Sequence, residues 1–301
     1  MKYLPVLAIV FISLCAGLPQ SLGLPALEMP LGEEPGVSII DQGSPDVYFR
    51  AQVIPLEVKS ERSINLFFEL RNKNSFDLEN VNVRAYDVCI FDPNGQEVFI
   101  PNLNEADEGV LKPNETKTWR WKWEADKTEL DKDCEIKFLV EYDGEYYLSQ
   151  DVIVLSESEY EIREIEERLQ AIPAQSFSSN TPLRISLSFS EEQPFLEDID
   201  YLMYIDYYNM GNGFITLNKN YPVKIQIPEN IESLVCEDYT KAEILKLDKT
   251  EDLKFIRNKA PRTICDLKTK DIDEEISIRP LTLTAKYKYV LDNSILVRVK
   301  R

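Results

Sequence analysis

Five cysteines carry the clearest covalent chemistry of this chain, and their positions sort them into three groups. Cys89 and Cys134 fall in one strand-rich half, Cys236 and Cys265 in the other, and Cys15 in a charge-free N-terminal stretch. Two pairs, one per half, downstream of an export-type segment, predict one disulfide in each of two exported β domains. Closing the Cys89–Cys134 loop contributes roughly 4 kcal/mol on a loop-entropy basis. Pairing also removes all four downstream thiols as nucleophiles.

The other reactive residue types exclude more than they offer. The chain has no histidine, which removes Ser-His-Asp and Cys-His catalysis, the HExxH zinc site and every His-containing metal site. GxGxxG, P-loop and CxxC motifs are absent as well. Hydrolysis by paired carboxylates stays chemically open, but 53 Asp and Glu make any chosen pair uninformative. The expectation is a protein that is not an enzyme and needs no cofactor or metal. Residues 1–155 carry 14 Lys and Arg against 27 Asp and Glu, and residues 156–301 carry 20 against 26. Neither half would gather phosphate backbones, so nucleic acid is not an expected partner.

Binding chemistry has more candidates. Trp119, Trp121 and Trp123, all the tryptophans of the chain, alternate along one segment with Arg120 and Lys122 between them. Facing out, they would make a platform for sugar rings. Facing in, they fill a sandwich core, and the charged opposite face favours that arrangement. Tyr204 and Tyr208 share one strand face with Leu202 and Asp206, while Tyr201 and Tyr207 share the other with Met203 and Ile205. The second set is more apolar and is expected inside. Tyr204 and Tyr208 are then left partly exposed beside Asn209–Gly213, where a partner's backbone could approach Gly211 and Gly213 closely. Asp92–Glu97 and Glu105–Glu108 are acidic loops with oxygen ligands for calcium but no EF-hand pattern, and ordinary solvated turns explain them better. Asn114-Glu115-Thr116 is the only N-x-[ST] sequon, so Asn114 is a possible glycosylation site.

The elements that must hold these residues begin with residues 1–18. Lys2 is the only charge before Glu28, and Leu4–Leu18 is apolar apart from Ser13. A basic start and a short apolar core describe a signal peptide, or an N-terminal anchor if the charge-free run to Leu27 is kept. Ile12-Ser13-Leu14-Cys15 resembles the bacterial lipobox, which would make Cys15 a lipid-attachment residue, although Leu14 stands where that motif wants a small side chain. The membrane is expected to be touched only here. Residues 19–47 hold five prolines and four glycines with no amphipathic period and read as a stalk. Seven alternating segments fill 48–155, the strand content of one immunoglobulin-like sandwich. Residues 156–180 are expected to open with a helix capped by Ser156 and to continue as loop. Residues 181–301 read as a second sandwich, with an undefined stretch at 240–258 and a hairpin signal at Asp292-Asn293-Ser294. The predicted fold class is all-β: two tandem immunoglobulin-like β-sandwiches with a short linking helix.

Ile64–Asn72 followed by Leu78–Val83, an alternating apolar strand ending in Asn and then a strand opening Asn-Val-Asn-Val, resembles the CARDB-like (cell-adhesion-related) modules of archaeal and bacterial surface proteins. The likeness is best over 48–155. It implies an immunoglobulin-like fold and an extracellular, cell-surface or envelope-anchored location, without a ligand or site residues. The expected function is therefore a structural or adhesive surface protein that binds another protein or an envelope glycan. The alternative is a filament or envelope subunit that self-assembles by donating Val37–Ile40, or another part of the stalk, to a neighbour's open sheet edge. An extracellular hydrolase using paired carboxylates is a distant third.

Overall fold

The computed structural model describes residues 38–92, 99–100, 109–166, 172–218, 220–237, 239–240, 244–247 and 253–301. Cys15, the signal segment, stalk residues 19–37 and both acidic loops apart from Asp92 lie outside the described residues. Pro35–Arg301 groups as one compact unit. Its elements are β1 (Ser38–Gly43), β2 (Val47–Ile54), β3 (Glu57–Lys59), β4 (Ser63–Asn72), β5 (Glu79–Asp87), β6 (Phe91–Asp92), β7 (Phe99–Ile100) and β8 (Thr116–Ala125). There follow β9 (Lys132–Leu155), α1 (Glu157–Ile165), β10 (Ser176–Ser178), β11 (Leu183–Phe189), β12 (Phe195–Leu196), β13 (Asp200–Asn209) and β14 (Phe214–Thr216). The chain ends with β15 (Val223–Gln226), β16 (Ile231–Cys236), β17 (Tyr239–Thr240), β18 (Ile244–Leu247), β19 (Thr263–Thr269) and β20 (Ile276–Lys300). Strands make up 63% and helix 4% of the described residues, so the protein is all-β in class.

Two strands organise everything else. β9 and β20 are 24 and 25 residues long and pair antiparallel without a break from Leu155↔Ile276 to Lys132↔Val299. At about 3.3 Å per residue this ribbon has a contour of roughly 75–80 Å, longer than one sandwich. Its inward face is apolar or aromatic along nearly the whole length: Ile136, Phe138, Val140, Tyr142, Tyr146 and Leu148 on β9, and Leu281, Leu283, Tyr287, Tyr289, Ile295 and Val297 on β20. The ribbon is the spine of an eleven-stranded sheet. A five-stranded sheet (β1-β2-β4-β8-β6) covers one stretch of that face, and a four-stranded sheet (β11-β13-β19-β16) covers the next. Phe138 packs on Phe49 and Phe68 of the first at 5.6 and 5.4 Å. The Tyr146 hydroxyl donates to the Ile185 carbonyl of the second at 2.7 Å. One hydrophobic cluster runs through both halves.

This connectivity differs from two consecutive blocks at 48–155 and 181–301. The end of β20 pairs with the start of β9, so residues 292–299 lie in the first half beside 132–139. The hairpin expected at Asp292–Ser294 is absent. Leu291, Asn293, Ile295 and Val297 stay in phase and buried, and the strand runs through because a turn would take Ile295 and Val297 out of register with β9. CEIKFLVEYD and YYLSQDVIVL likewise merge into β9 across Asp143-Gly144. Gly144 is inside the strand because the Tyr287 ring, its cross-strand partner, occupies the space where a side chain would be.

Ser156 caps α1, its hydroxyl accepting from the Glu159 N–H at 3.3 Å. Glu159 turns to Arg163 at 2.6 Å instead of closing a capping box. The helix buries none of its residues, so it connects the halves without bracing them. Within 240–258 the described residues are the end of β17, the whole of β18, and residues 253–258, which are non-strand and lead into a turn. Both disulfides are formed: Cys89–Cys134 ties the crossover between β5 and β6 to β9, and Cys236–Cys265 joins directly opposed residues of β16 and β19.

Candidate functional site

β13 lies between β11 and β19 in the four-stranded sheet. Its alternation is the expected one: Tyr201, Met203, Ile205 and Tyr207 are buried in the core, while Tyr204 and Tyr208 are half-buried on the outer face. Asp206 lies between them on that face, yet is only 4% exposed. Two cations close over it. The Arg262 guanidinium donates to both oxygens, Nε to Oδ1 at 3.0 Å and Nη2 to Oδ2 at 2.7 Å, and Lys259 Nζ is 3.0 Å from Oδ1. The Arg262 hydrogen bonds hold the Asp206 carboxyl below the usual range, more than offsetting its partial desolvation, with Lys259 assisting.

The same cations lie on the tyrosines. Arg262 is 5.0 Å from the Tyr204 ring centroid and Lys259 is 5.2 Å from that of Tyr208. A tight turn delivers Lys259: Arg257 and Asn258 both have positive φ, at 49° and 66°, the two-residue geometry of a type I′ turn. The Ile256 N–H donates to the Lys259 carbonyl and the Lys259 N–H to that of Ile256. Ala260 then donates to the Tyr207 carbonyl, fixing the turn against β13. Arg262 and Lys259 escaped the sequence reading because they directly follow the undefined stretch at 240–258, where no pattern assigns a strand face.

Beyond this cluster the face carries three exposed aliphatic side chains around an exposed acid, Asp266. Ile264 is 46% exposed and opposes Tyr204; Leu202 at 39% and Val235 at 49% flank Asp266, one row further on. Arg184 of β11 opposes Tyr208 and is exposed. The result is a strip of three aliphatic side chains and two tyrosines beside three cations, with Asp266 set between Leu202 and Val235, on a chain of net charge −19. Asp206 has both oxygens engaged by cations, so it has no proton to exchange near neutral pH. The arrangement suits binding rather than acid–base chemistry.

The glycine turn serves a different purpose from the one expected. A Cβ at Gly211 or Gly213 would collide with Tyr289, whose hydroxyl accepts from the Gly213 N–H at 2.7 Å. The close approach those glycines allow is taken by the chain's own ring, not by a partner's backbone. Among the tryptophans, Trp121 and Trp123 are core residues, 7% and 0% exposed and stacked on each other at 5.1 Å. Trp119 is half-buried on the same inner face. No outward tryptophan platform exists. Asn114 is exposed in a turn with φ of 61°. No helix among the described residues is long and apolar enough to cross a membrane.

No family model matches the chain, and neither does any curated protein. Among solved structures, "Secreted serine protease VesC from Vibrio cholerae" aligns over 84% of this chain and 51% of that one, at 10% identity and a TM-score of 0.19. The chain thus spans about half the length of that protein, and a similarity of this size carries no argument about fold or activity.

Proposed function

We propose that this protein is an exported, non-catalytic surface module, each half an immunoglobulin-like sandwich sharing the long sheet, that docks an acidic partner protein on the outer face of its four-stranded sheet. The observation that carries this reading is the strip of Leu202, Tyr204, Tyr208, Val235 and Ile264 beside Arg184, Lys259 and Arg262. Aromatic anchors held rigid before contact lose little entropy on binding. The cations select a negatively charged surface and speed its approach. Two disulfides support an oxidising compartment, and the CARDB-like resemblance of 48–155 supports an envelope location. Assembly through the stalk is the competing reading. Residues 38–43 pair in cis with β2 along its whole edge, so donating Val37–Ile40 would first require removing that strand, which favours adhesion.

Binding of the purified exported chain to isolated cell envelopes, with and without protease treatment of the envelopes, tests the proposal. Saturable, protease-sensitive binding is expected, weakened at least tenfold in a Tyr204→Ala/Tyr208→Ala double variant, since a hot-spot anchor is worth about 2 kcal/mol. The thermal midpoint should fall by only a few degrees, because each lost cation–π contact is worth about 0.5–1 kcal/mol. Undiminished binding by the double variant would sink the assignment. Protease-resistant binding would point to a glycan instead.

A further inference from the structure

The strand that carries the tryptophans has a second face, and that face bounds the outer side of the five-stranded sheet. Adjacent strands there put Gln52, Phe67 and Arg120 in one cross-strand row and Arg50, Glu69 and Thr118 in the next. These six side chains line an open cavity of about 500 Å³, with the backbone of Phe68 and Trp119 beneath them. It lies on a different sheet from the Tyr204–Tyr208 strip and does not depend on that strip's role.

Two guanidiniums face this cavity with most of their hydrogen-bonding capacity unused. Arg120 is fixed from behind: its carbon Cζ is 5.4 Å from the Phe67 ring centroid, and its Nε and Nη2 both donate to Asn65 Oδ1. Three of its five N–H donors are left. Arg50 Nε is buried without a hydrogen-bond partner among the described residues, and Arg50 makes no ion pair there, although Asp41 and Glu69 are its neighbours in register on either side. Its terminal nitrogens Nη1 and Nη2 make no hydrogen bond to the described residues either, so their four N–H donors are left for an acceptor in the cavity, while the enclosed Nε is out of reach. Positions on β2 and β8 are separated by the whole width of β4, about 10 Å, so the two guanidiniums bracket the cavity.

We propose that this concave face is a binding site for a carboxylate-bearing saccharide. Arg50 and Arg120 grip carboxylates through their planar forks, while Gln52, Glu69 and Thr118 exchange hydrogen bonds with ring hydroxyls. Glu69 separates a saccharide from an acidic peptide. At the centre of the cavity its carboxylate would repel a run of acidic side chains, but it is a good acceptor for hydroxyls placed between the acid groups.

Calorimetric titration of the full exported chain with tetragalacturonate tests the site, with maltotetraose, poly-L-glutamate and sodium sulfate as parallel titrants. Tetragalacturonate alone should give saturable binding. Arg50→Met and Arg120→Met should each weaken it at least tenfold. Arg50→Lys should not restore it, because an ammonium lacks the fork. The Tyr204→Ala/Tyr208→Ala variant should bind it like wild type, which keeps the two sites distinguishable. Thermal midpoints of all variants should stay within a few degrees of wild type, since neither arginine belongs to the hydrophobic core. The proposal is overturned if tetragalacturonate fails to bind at millimolar concentration, if both arginine variants bind it unchanged, if maltotetraose or sulfate binds equally well, or if poly-L-glutamate binds more tightly.

Discussion

Asp46→Ala is expected to lower stability by about 3 kcal/mol, roughly 6–12 °C in thermal midpoint for a unit of this size. Asp46 is fully buried where the five-stranded and four-stranded sheets meet on the long ribbon. Its Oδ1 accepts from Ser44 and from the Tyr142 hydroxyl at 2.8 Å, and its Oδ2 accepts from the Tyr287 hydroxyl at 2.8 Å. Alanine would leave these hydroxyls inside without their acceptor. Ser44 and Tyr142 can satisfy each other across 2.9 Å, so the cost falls mainly on Tyr287 and on the cavity. Burial pushes the Asp46 carboxyl above its ordinary value of 3.8, against the opposing pull of the three hydroxyls. No cation accompanies it among the described residues, which fits the upward direction. A folded-state value above the unfolded one means the contribution of this group is complete below about pH 4 and is lost as pH rises through the folded value. Asp46→Asn keeps one acceptor oxygen and cannot ionise. Its midpoint should therefore gain on wild type between pH 4 and pH 7, while the many other carboxylates titrate equally in both proteins and cancel. A wild type that gains on the Asn variant over that interval would show the carboxyl depressed, not raised.

The strands and the tyrosine faces were legible because both depend on local alternation. Tyr204 and Tyr208 were placed outward by comparing two residue sets on one strand, and the cysteines by which half each occupies. Local signals failed where long-range pairing outweighed them. Asp143-Gly144 and Asp292-Asn293-Ser294 carry turn chemistry, yet both lie inside the β9–β20 ribbon, where every residue on either side has a cross-strand partner. Converting them to hairpins would forfeit the burial of a dozen apolar side chains for the sake of one turn. The tryptophans were read correctly by charge, since Arg120 and Lys122 had to face water. The same reading did not show which residues that charged face brings together. Arg50, Glu69, Phe67 and Arg120 come from three separated segments, and only the register brings them together. The cover of Asp206 by Arg262 and Lys259 was hidden for the same reason, because the partners are more than fifty residues away.

Gly144→Ala should cost about 3 kcal/mol, an unusual penalty for one methyl group in a strand of normal backbone geometry. Its Cβ would come within 2.5 Å of Tyr287 Cζ and Oη and 2.9 Å of Cε2. An exposed ring would swing aside cheaply. Tyr287 cannot, because it is 0% exposed and its hydroxyl is anchored on Asp46. Accommodating the methyl group therefore means lengthening or losing that hydrogen bond, which links the Gly144 position to Asp46 through a single ring. The two substitutions should be strongly non-additive: once Asp46→Ala has released the hydroxyl, Gly144→Ala should cost at least 1 kcal/mol less than it does in wild type. Chemical denaturation of wild type, both single variants and the double variant measures this directly. Strict additivity would mean that the backbone of β9, not the ring, yields to the methyl group, and that Asp46 does not hold Tyr287 in place. The expected coupling would instead mark Asp46, Tyr287 and Gly144 as one device. It would keep the ribbon continuous through a sequence that locally favours a turn, so that one pair of strands backs both the five-stranded and the four-stranded sheet.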